Sequence, residues 1–205
     1  IWVLAYRFIN PPITLLMVIR NIERSSDGKP LKMKKEWVDF EDISDHMKRA
    51  AVSAEDQLFL KHVGFDVKAI EKAFQTNKKG KRIKGGSTIS QQTAKNVFLW
   101  PGRSWIRKGF EAYFTVLIEL LWGKKRILEV YLNVIETGHG IYGVETACQA
   151  YFGKSSESLS RRQAALLISI LPNPLRWSPV KPTPYLYRRQ TLIMRNMTRI
   201  GAIPF

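Results

Sequence analysis

Two adjacent acids, Glu55 and Asp56, close an apolar helical run that begins at Ala50. A carboxylate at the edge of an apolar surface loses part of its hydration, and this suits it to accept a proton as a general base. The simpler alternative is a solvated acid at the end of a helix, without a chemical role. Taken alone, the pair predicts a candidate base and leaves that alternative open.

A stripe of polar side chains follows two glycines at positions 85 and 86. The spacing i, i+3, i+4, i+7 brings four of these side chains to one face of a predicted helix. Hydroxyl, amide and ammonium groups near a helix N-terminus suit hydrogen bonding to a sugar or a phosphate, although an exposed polar face would look the same. The polar residues of this segment are Ser87, Thr88, Gln91, Gln92, Lys95 and Asn96.

Cations dominate the segment that follows, and one acid lies among them. Arg107 and Glu111 are four residues apart, which is also the spacing of an ordinary ion pair on a helix surface. The cations considered as candidate ligands of a phosphate are Arg103, Arg107, Lys108 and Lys124.

The net charge of +16 arises from two windows without acids, residues 76–108 and 158–205. Such windows attract the phosphates of nucleic acids, lipid headgroups or a phosphorylated substrate, unless they form a merely solvated basic face. A hydrophobic content of 45% excludes a disordered chain. The single cysteine, Cys148, excludes an internal disulfide framework and a zinc site built of several cysteines.

Helical patterns and capping residues predict one mainly α domain with a minor β element. A short strand is expected within 34–40, and the long apolar segment 104–122 is expected to cross the core. The glycines at 138, 140 and 143 are expected to form a turn between two helices, not a dinucleotide-binding loop. The predicted helices are 42–54 or 44–54, 66–77, 87–97 or 88–97, 104–122, 124–137, 143–152, 160–171 and 184–200.

The first twenty residues are apolar, but Arg7, Asn10 and the prolines at 11 and 12 interrupt them. They are too broken for a complete membrane-spanning helix, which needs about 20 mostly apolar residues. They fit the tail of a transmembrane helix, an interfacial segment or an N-terminal core helix.

Five blocks follow one another in an order that resembles the peptidoglycan glycosyltransferases, glycosyltransferase family 51. The blocks are EDQLFLKHVGFD, GGSTISQQTAKNVFL, RKGFE, KKRILEVYLNVIETGHGIYGVETACQAYFGKS and LSRRQAALLISILPNP. Because the chain ends soon after the last block, it is more similar to the monofunctional biosynthetic members than to the bifunctional penicillin-binding proteins. The resemblance implies a lysozyme-like helical domain over residues 25–205, preceded by a membrane-proximal segment, 1–24, as the tail of a transmembrane anchor.

The resemblance also implies a reaction, in which the 4-hydroxyl of lipid II attacks C1 of a glycan held on a polyprenyl pyrophosphate. Glu55 matches the general base of the family, and Glu111 matches its second carboxylate. In the family this second carboxylate assists at the pyrophosphate, either directly or through a divalent ion (Mg or Mn). Lys95 and Arg103 match residues that stabilise the leaving group. Supporting or donor-side contacts are expected from Arg107, Lys108, Lys124, Asp56, Ser87, Thr88, Gln91, Gln92 and Asn96.

A membrane location follows from this substrate, because both reactants carry lipid tails. The expected place is the periplasmic side of the bacterial inner membrane, with a single-pass anchor and other cell-wall synthesis proteins as partners. Phe98, Leu99, Trp100 and Trp105 lie among the cations of the first basic window and predict an interfacial anchor. The resemblance also implies sensitivity to the phosphoglycolipid inhibitor moenomycin.

Two alternatives remain at this point. A lysozyme or lytic transglycosylase also places a glutamate at a helix end, but it needs no cluster of cations because no pyrophosphate leaves. A nucleic-acid-binding module would account for the charge and leave the carboxylates and the amides unexplained. No nucleic-acid partner is expected if the resemblance holds.

Overall fold

The structure is a computed structural model that describes residues 1–78, 86–102 and 104–205. Helices dominate these residues, as expected, and a small three-stranded sheet accompanies them. The helices are α1 (Trp2–Ala5), α2 (Leu15–Ser26), α3 (Asp45–Glu55), α4 (Val67–Lys78), α5 (Ile89–Phe98), α6 (Trp105–Leu121), α7 (Gly123–Val134), α8 (Val144–Phe152), α9 (Arg161–Ser169) and α10 (Pro184–Ile200). The strands are β1 (Lys34–Lys35), β2 (Glu136–Gly138) and β3 (Ile141–Tyr142).

The predicted helix starts are confirmed where a hydroxyl side chain caps the helix. Ser44 accepts a hydrogen bond from the backbone N–H of Met47, and Ser104 accepts one from that of Arg107. Thr88 and Ser160 each form a reciprocal capping box with the glutamine three residues later. These caps satisfy backbone N–H groups that the helix itself leaves unpaired, so the chain enters each helix at a defined residue.

Two groups of helices form the body of the domain. One group packs α3, α9 and α10 against one another, and the other packs α5 against α6 and α7. Helix α7 is largely buried, with Leu128, Tyr131 and Leu132 fully enclosed. The C-terminal end of α3 contacts α5, which belongs to the other group. This contact marks where the two groups of helices adjoin.

Helix α6 lies on the surface, and the expectation that it crosses the core is wrong. Its buried residues form one stripe, Arg107, Glu111, Thr115 and Ile118, and this stripe faces α5. Six of its other large apolar side chains are exposed, while Phe114, Leu117 and Leu121 are half-buried against the core. The exposed ones are Trp105, Ile106, Phe110, Tyr113, Val116 and Leu120. High hydrophobicity alone does not distinguish a buried helix from one with an apolar outer face.

The expected interfacial anchor divides between the interior and the surface. Phe98 stacks on Phe114, with their ring centroids 4.6 Å apart, and Leu99 is buried. Trp100 and Trp105 remain exposed. The first pair is therefore part of the packing of α5 against α6, and only the tryptophans are available to a membrane.

The sheet has the order β1-β3-β2, with β1 parallel and β2 antiparallel to β3. The predicted strand within 34–40 is confirmed only at Lys34–Lys35, and the glycine segment forms the β2–β3 hairpin where a turn between helices was expected. A Cβ atom on Gly140 would lie 2.1 Å from the carbonyl oxygen of Lys32, so this close approach requires glycine.

The N-terminal segment packs against the domain. The indole nitrogen of Trp122 donates to the carbonyl of Val3 at 2.7 Å, and Arg126 donates to the carbonyls of Tyr6 and Ile9. Helix α2 packs on α5, and its Met17 is fully buried. Within the described ranges, no helix has the length and apolar character needed to cross a membrane.

Candidate active site

The carboxylate of Glu55 lies where three helices converge. Glu55 ends α3 and accepts hydrogen bonds from the amide of Gln92 on α5 and from the guanidinium of Arg189 on α10, both at 3.1 Å. Its side chain is 14% exposed. The convergence holds a partly buried carboxylate in one orientation and leaves it a limited opening to solvent.

Arg189 was missed as a site residue by the sequence analysis. It was counted only as one of the cations in the window 158–205, because nothing in its local spacing links it to an acid 134 residues earlier. Its guanidinium both compensates the charge of Glu55 and limits the rotamers of that side chain.

Asp56 has a structural setting unlike that of its neighbour. Its side chain is only 2% exposed and accepts hydrogen bonds from the backbone N–H of Ile89 at 3.0 Å and from Nε2 of His62 at 2.9 Å. Burial raises its pKa, although both partners oppose this shift. Asp56 thus ties the end of α3 to the start of α5, and a direct substrate contact for it stays a prediction.

The predicted polar stripe divides into two pairs. Thr88 and Gln91 are almost fully buried and form the capping box of α5, and the hydroxyl of Thr88 donates to the carbonyl of Gly64 at 2.6 Å. Gln92 and Lys95 instead line a cavity of the protein. Helical spacing correctly grouped these residues, but the first turn of the helix used two of them for its own backbone.

The hydrogen bond between Gln92 and Glu55 joins the walls of two cavities. The first, of about 220 Å³, is called the base cavity and is lined by Glu55, Asp56, Ser87 and Thr88 among others. The second, of about 300 Å³, is called the cation cavity. It is lined by Arg20, Gln92, Lys95, Asn96, Trp100, Arg107, Tyr131 and Glu136, together with apolar residues.

The cation cavity is suited to an anion. Burial lowers the pKa of Lys95, while nearby Glu111 opposes this shift, so an anionic ligand would stabilise the charged ammonium. The buried Nε–H of Arg107 has no hydrogen-bond partner within the described part of the chain, which leaves a donor available to a ligand. Tyr131 and Asn133 hold the wall in place, with Tyr131 fully buried and Asn133 bonded to the backbone of Val38.

Glu111 is enclosed by cations of its own helix. It accepts hydrogen bonds from Arg107 at 3.0 Å and from Lys108, and its side chain is 5% exposed. It lines neither the base cavity nor the cation cavity.

Because both of its oxygens are engaged by positive groups, this carboxylate is a poor fit for the divalent ion that the resemblance allowed. In residues 1–78, 86–102 and 104–205, no three side chains of His, Cys, Asp or Glu cluster as metal ligands would.

Lys124, a further predicted ligand of the pyrophosphate, lines neither of these cavities. Lys124 pairs with Glu119 at 2.6 Å and lies over the ring of Phe59, with the ammonium 4.7 Å from the ring centroid. Glu119 also accepts a hydrogen bond from Ser90, so Lys124 belongs to a buried network between α5, α6 and α7. Arg103 lies outside the described residues.

Comparison with known proteins agrees with this geometry. The family model described as Transglycosylase matches residues 23–198. A protein of Pseudomonas entomophila named biosynthetic peptidoglycan transglycosylase is 48% identical over 97% of this chain and 84% of its own length. A protein of the same name from Caulobacter vibrioides is 55% identical over 91% and 79% of the two chains, and one from Ectopseudomonas mendocina is 51% identical over 97% and 82%.

The family model covers the base cavity and every lining residue of the cation cavity except Leu16 and Arg20, and it favours the glycosyltransferase over the lysozyme and the nucleic-acid-binding alternatives. The chain therefore belongs to the transglycosylase family and is a glycosyltransferase of peptidoglycan synthesis.

Proposed function

We propose that the chain polymerises lipid II into β-1,4-linked glycan strands. The growing glycan, attached at C1 to a polyprenyl pyrophosphate, is the donor, and the 4-hydroxyl of the N-acetylglucosamine of lipid II is the acceptor. The observation that carries the proposal is the position of Glu55, which borders the base cavity while its partner Gln92 borders the cation cavity. The carboxylate of Glu55 thus lies between a cavity that holds the candidate base and a cavity lined by cations.

The acceptor sugar occupies the base cavity in this proposal. Glu55 removes the proton of the 4-hydroxyl as the oxygen attacks C1 of the donor, a task for a positioned general base. The new C1–O bond forms on the face opposite the pyrophosphate, so the configuration at C1 inverts from α to β. The bond between C1 and the phosphate oxygen breaks, and its electron pair leaves with the pyrophosphate.

The pyrophosphate occupies the cation cavity. Lys95 and Arg107 lie there with buried donors, and a positive environment is most effective where negative charge develops in the transition state. A well-placed donor of this kind is worth about 3–4 kcal/mol of transition-state stabilisation. The amides of Gln92 and Asn96 add neutral donors along the same wall.

A purified-protein assay with labelled lipid II tests the function directly. Polymer resolved by length on a gel is the expected product, and mature peptidoglycan offered in a parallel reaction should remain uncleaved. Reactions with Mg²⁺, with Mn²⁺ and with a chelator measure whether a divalent ion assists the pyrophosphate. Cleavage of peptidoglycan without synthesis of polymer would contradict the proposal.

We also propose that the outer face of α6 docks on the membrane that supplies the lipid-linked substrate, on the periplasmic side of the inner membrane. Trp105 is 92% exposed, and Ile106 and Leu120 are each 72% exposed. The segment before α4 approaches α6 at Gly64, next to Thr115, and its Val63 is 75% exposed, while Val67 at the start of α4 is 62% exposed. An apolar surface beside a basic window is the combination that anionic bilayers bind.

Sedimentation with anionic vesicles of phosphatidylglycerol and phosphatidylethanolamine measures this docking. The double variant Trp105→Glu/Ile106→Glu is expected to bind at least about 5-fold more weakly, because two exposed apolar groups that insert into the bilayer in this proposal become charged. Leu192→Glu on α10, where Leu192 is 53% exposed, is the matched control and should bind normally. Equal binding by all three proteins would contradict docking through α6.

A further inference from the structure

A third cavity, of about 510 Å³, continues from the cation cavity and is called the side cavity. Arg20 and Glu136 line both spaces, so the cavities meet at this pair. The walls of the side cavity come from α2, from the segment before β1 and from the β2–β3 hairpin. Its charged lining residues are Arg20, Glu23, Arg24, Asp27, Lys29, Lys32 and Glu136, with His139 beside them.

Arg20 is held at the junction by two carboxylates. It donates to Glu23 at 2.9 Å, and its Nε lies 3.3 Å from Glu136, whose side chain is 11% exposed. That Nε–H is buried and is not aligned to donate to Glu136, so it lacks a hydrogen bond within the described residues. A buried donor of this kind is available to a ligand that passes from one cavity to the other.

The rest of the side cavity has an excess of positive charge. Lys29 pairs with Asp27 at 2.8 Å, which leaves this pair neutral. Arg24 donates only to a neutral group, the carbonyl of Pro30, and Lys32 has no carboxylate partner in residues 1–78, 86–102 and 104–205. Exposed His139 adds a third group that can donate to an anion. The outer part of this cavity is thus suited to carboxylates.

We propose that the side cavity binds the stem peptide of the muramyl unit whose pyrophosphate occupies the cation cavity, an inference that rests on the proposed function. In this substrate the peptide hangs from C3 of the same sugar ring that carries the pyrophosphate at C1. The peptide must therefore leave the ring within one sugar of the phosphates, where Arg20 and Glu136 open into the side cavity. Its free carboxylates then meet Arg24 and Lys32 in charge-assisted hydrogen bonds.

The site makes the enzyme sensitive to the peptide and not only to the sugars and the lipid. The peptide does not react, so its binding contributes equally to the ground state and the transition state and acts on KM. A substrate without the peptide carboxylates loses this contribution while the chemistry at C1 is unchanged.

Steady-state kinetics of Lys32→Glu with two substrates test the proposal. One substrate is lipid II with its complete stem peptide, and the other is lipid II whose peptide is cut back to its first amino acid, with the carboxyl group of that residue amidated. For the complete substrate we expect KM to rise about 5–20-fold with kcat within about 2-fold. For the trimmed substrate, we expect the variant and the unchanged protein to have the same KM.

The control is Lys34→Glu, an exposed cation two positions later that lines a different cavity. It should behave as the unchanged protein with both substrates. Lys32→Glu should fold, because the structural contacts of Lys32 use its backbone, whose N–H donates to Asn21 and whose carbonyl meets Gly140. Its thermal unfolding curve checks this.

A second variant, His139→Ala, removes a group on the exposed tip of the hairpin and should raise KM about 2–3-fold for the complete substrate alone. Equal KM changes with both substrates, or no change with either, would overturn the peptide site. The proposed function fails separately, and the peptide site with it, if the unchanged protein makes no polymer from either substrate.

Discussion

Glu55 and Glu111 are both largely buried carboxylates, but they are held by different partners. Glu55 is bonded to an amide and a guanidinium from two other helices, and it borders a cavity. Glu111 is bonded to two cations on its own helix and lines neither the base cavity nor the cation cavity.

The contrast separates two kinds of role. A carboxylate that borders an open space and keeps spare lone pairs can meet a substrate proton. A carboxylate saturated by cations acts through them, and we therefore propose that Glu111 positions Arg107 in the cation cavity. Substitutions at the two glutamates and at their partners should therefore differ in size and in kinetic signature.

The largest expected effect belongs to Glu55→Gln. The amide keeps the size of the side chain and cannot accept the proton of the 4-hydroxyl, so kcat for lipid II should fall at least about 10³-fold. Moenomycin binding, measured by fluorescence anisotropy, should change little because its phosphate does not need a base. Glu157→Gln, at an exposed surface position, is the control and should be fully active. Turnover near normal in Glu55→Gln would remove Glu55 as the base.

Glu111→Gln should reduce kcat/KM about 10–100-fold, because Arg107 loses the partner that aims it into the cation cavity. The free energy of unfolding should fall by about 1–3 kcal/mol, measured by urea denaturation, since two cations lose their compensation.

Glu119→Gln is the matched control for Glu111→Gln, because Glu119 is also a buried carboxylate paired with a lysine. It should lose similar stability and keep its activity. If both variants lose activity in proportion to their stability, the positioning role of Glu111 is contradicted.

Arg189→Ala should lower kcat about 10-fold, since Glu55 loses both a hydrogen bond and a compensating charge. KM for lipid II should change less than kcat, because Arg189 acts through the orientation of Glu55. Arg189→Lys should restore part of kcat, and Arg188→Ala, at the exposed neighbouring residue, should leave kcat unchanged. A normal kcat in Arg189→Ala would limit Arg189 to packing.

The smallest effect is expected for Lys108→Ala. The side chain of Lys108 is 43% exposed, and an ion pair at such a position contributes little, about 0.2–1 kcal/mol. Activity should therefore change less than about 3-fold, and less still at high salt. A loss as large as that of Arg107→Ala, measured in the same assay, would show that Lys108 touches the pyrophosphate itself.

Local hydrogen bonds explain which parts of the fold were predictable. A hydroxyl residue followed three positions later by glutamine is complete within one turn, so the starts at Thr88 and Ser160 could be read from neighbours alone. The same spacing also grouped Thr88 and Gln91 with Gln92 and Lys95 on one face. The spacing does not show that Thr88 and Gln91 form the helix cap, whereas Gln92 and Lys95 line the cation cavity.

The sequence by itself determined the helical segments, the order of the family blocks and the identity of Glu55 as the candidate base, because each of these depends on residues close in the chain or on a shared motif. Only the tertiary structure decided which face of α6 is buried, that Arg189 meets Glu55, and that Lys124 pairs with Glu119. Such contacts join residues far apart in sequence, and their free energy depends on how the helices pack, which no local pattern encodes.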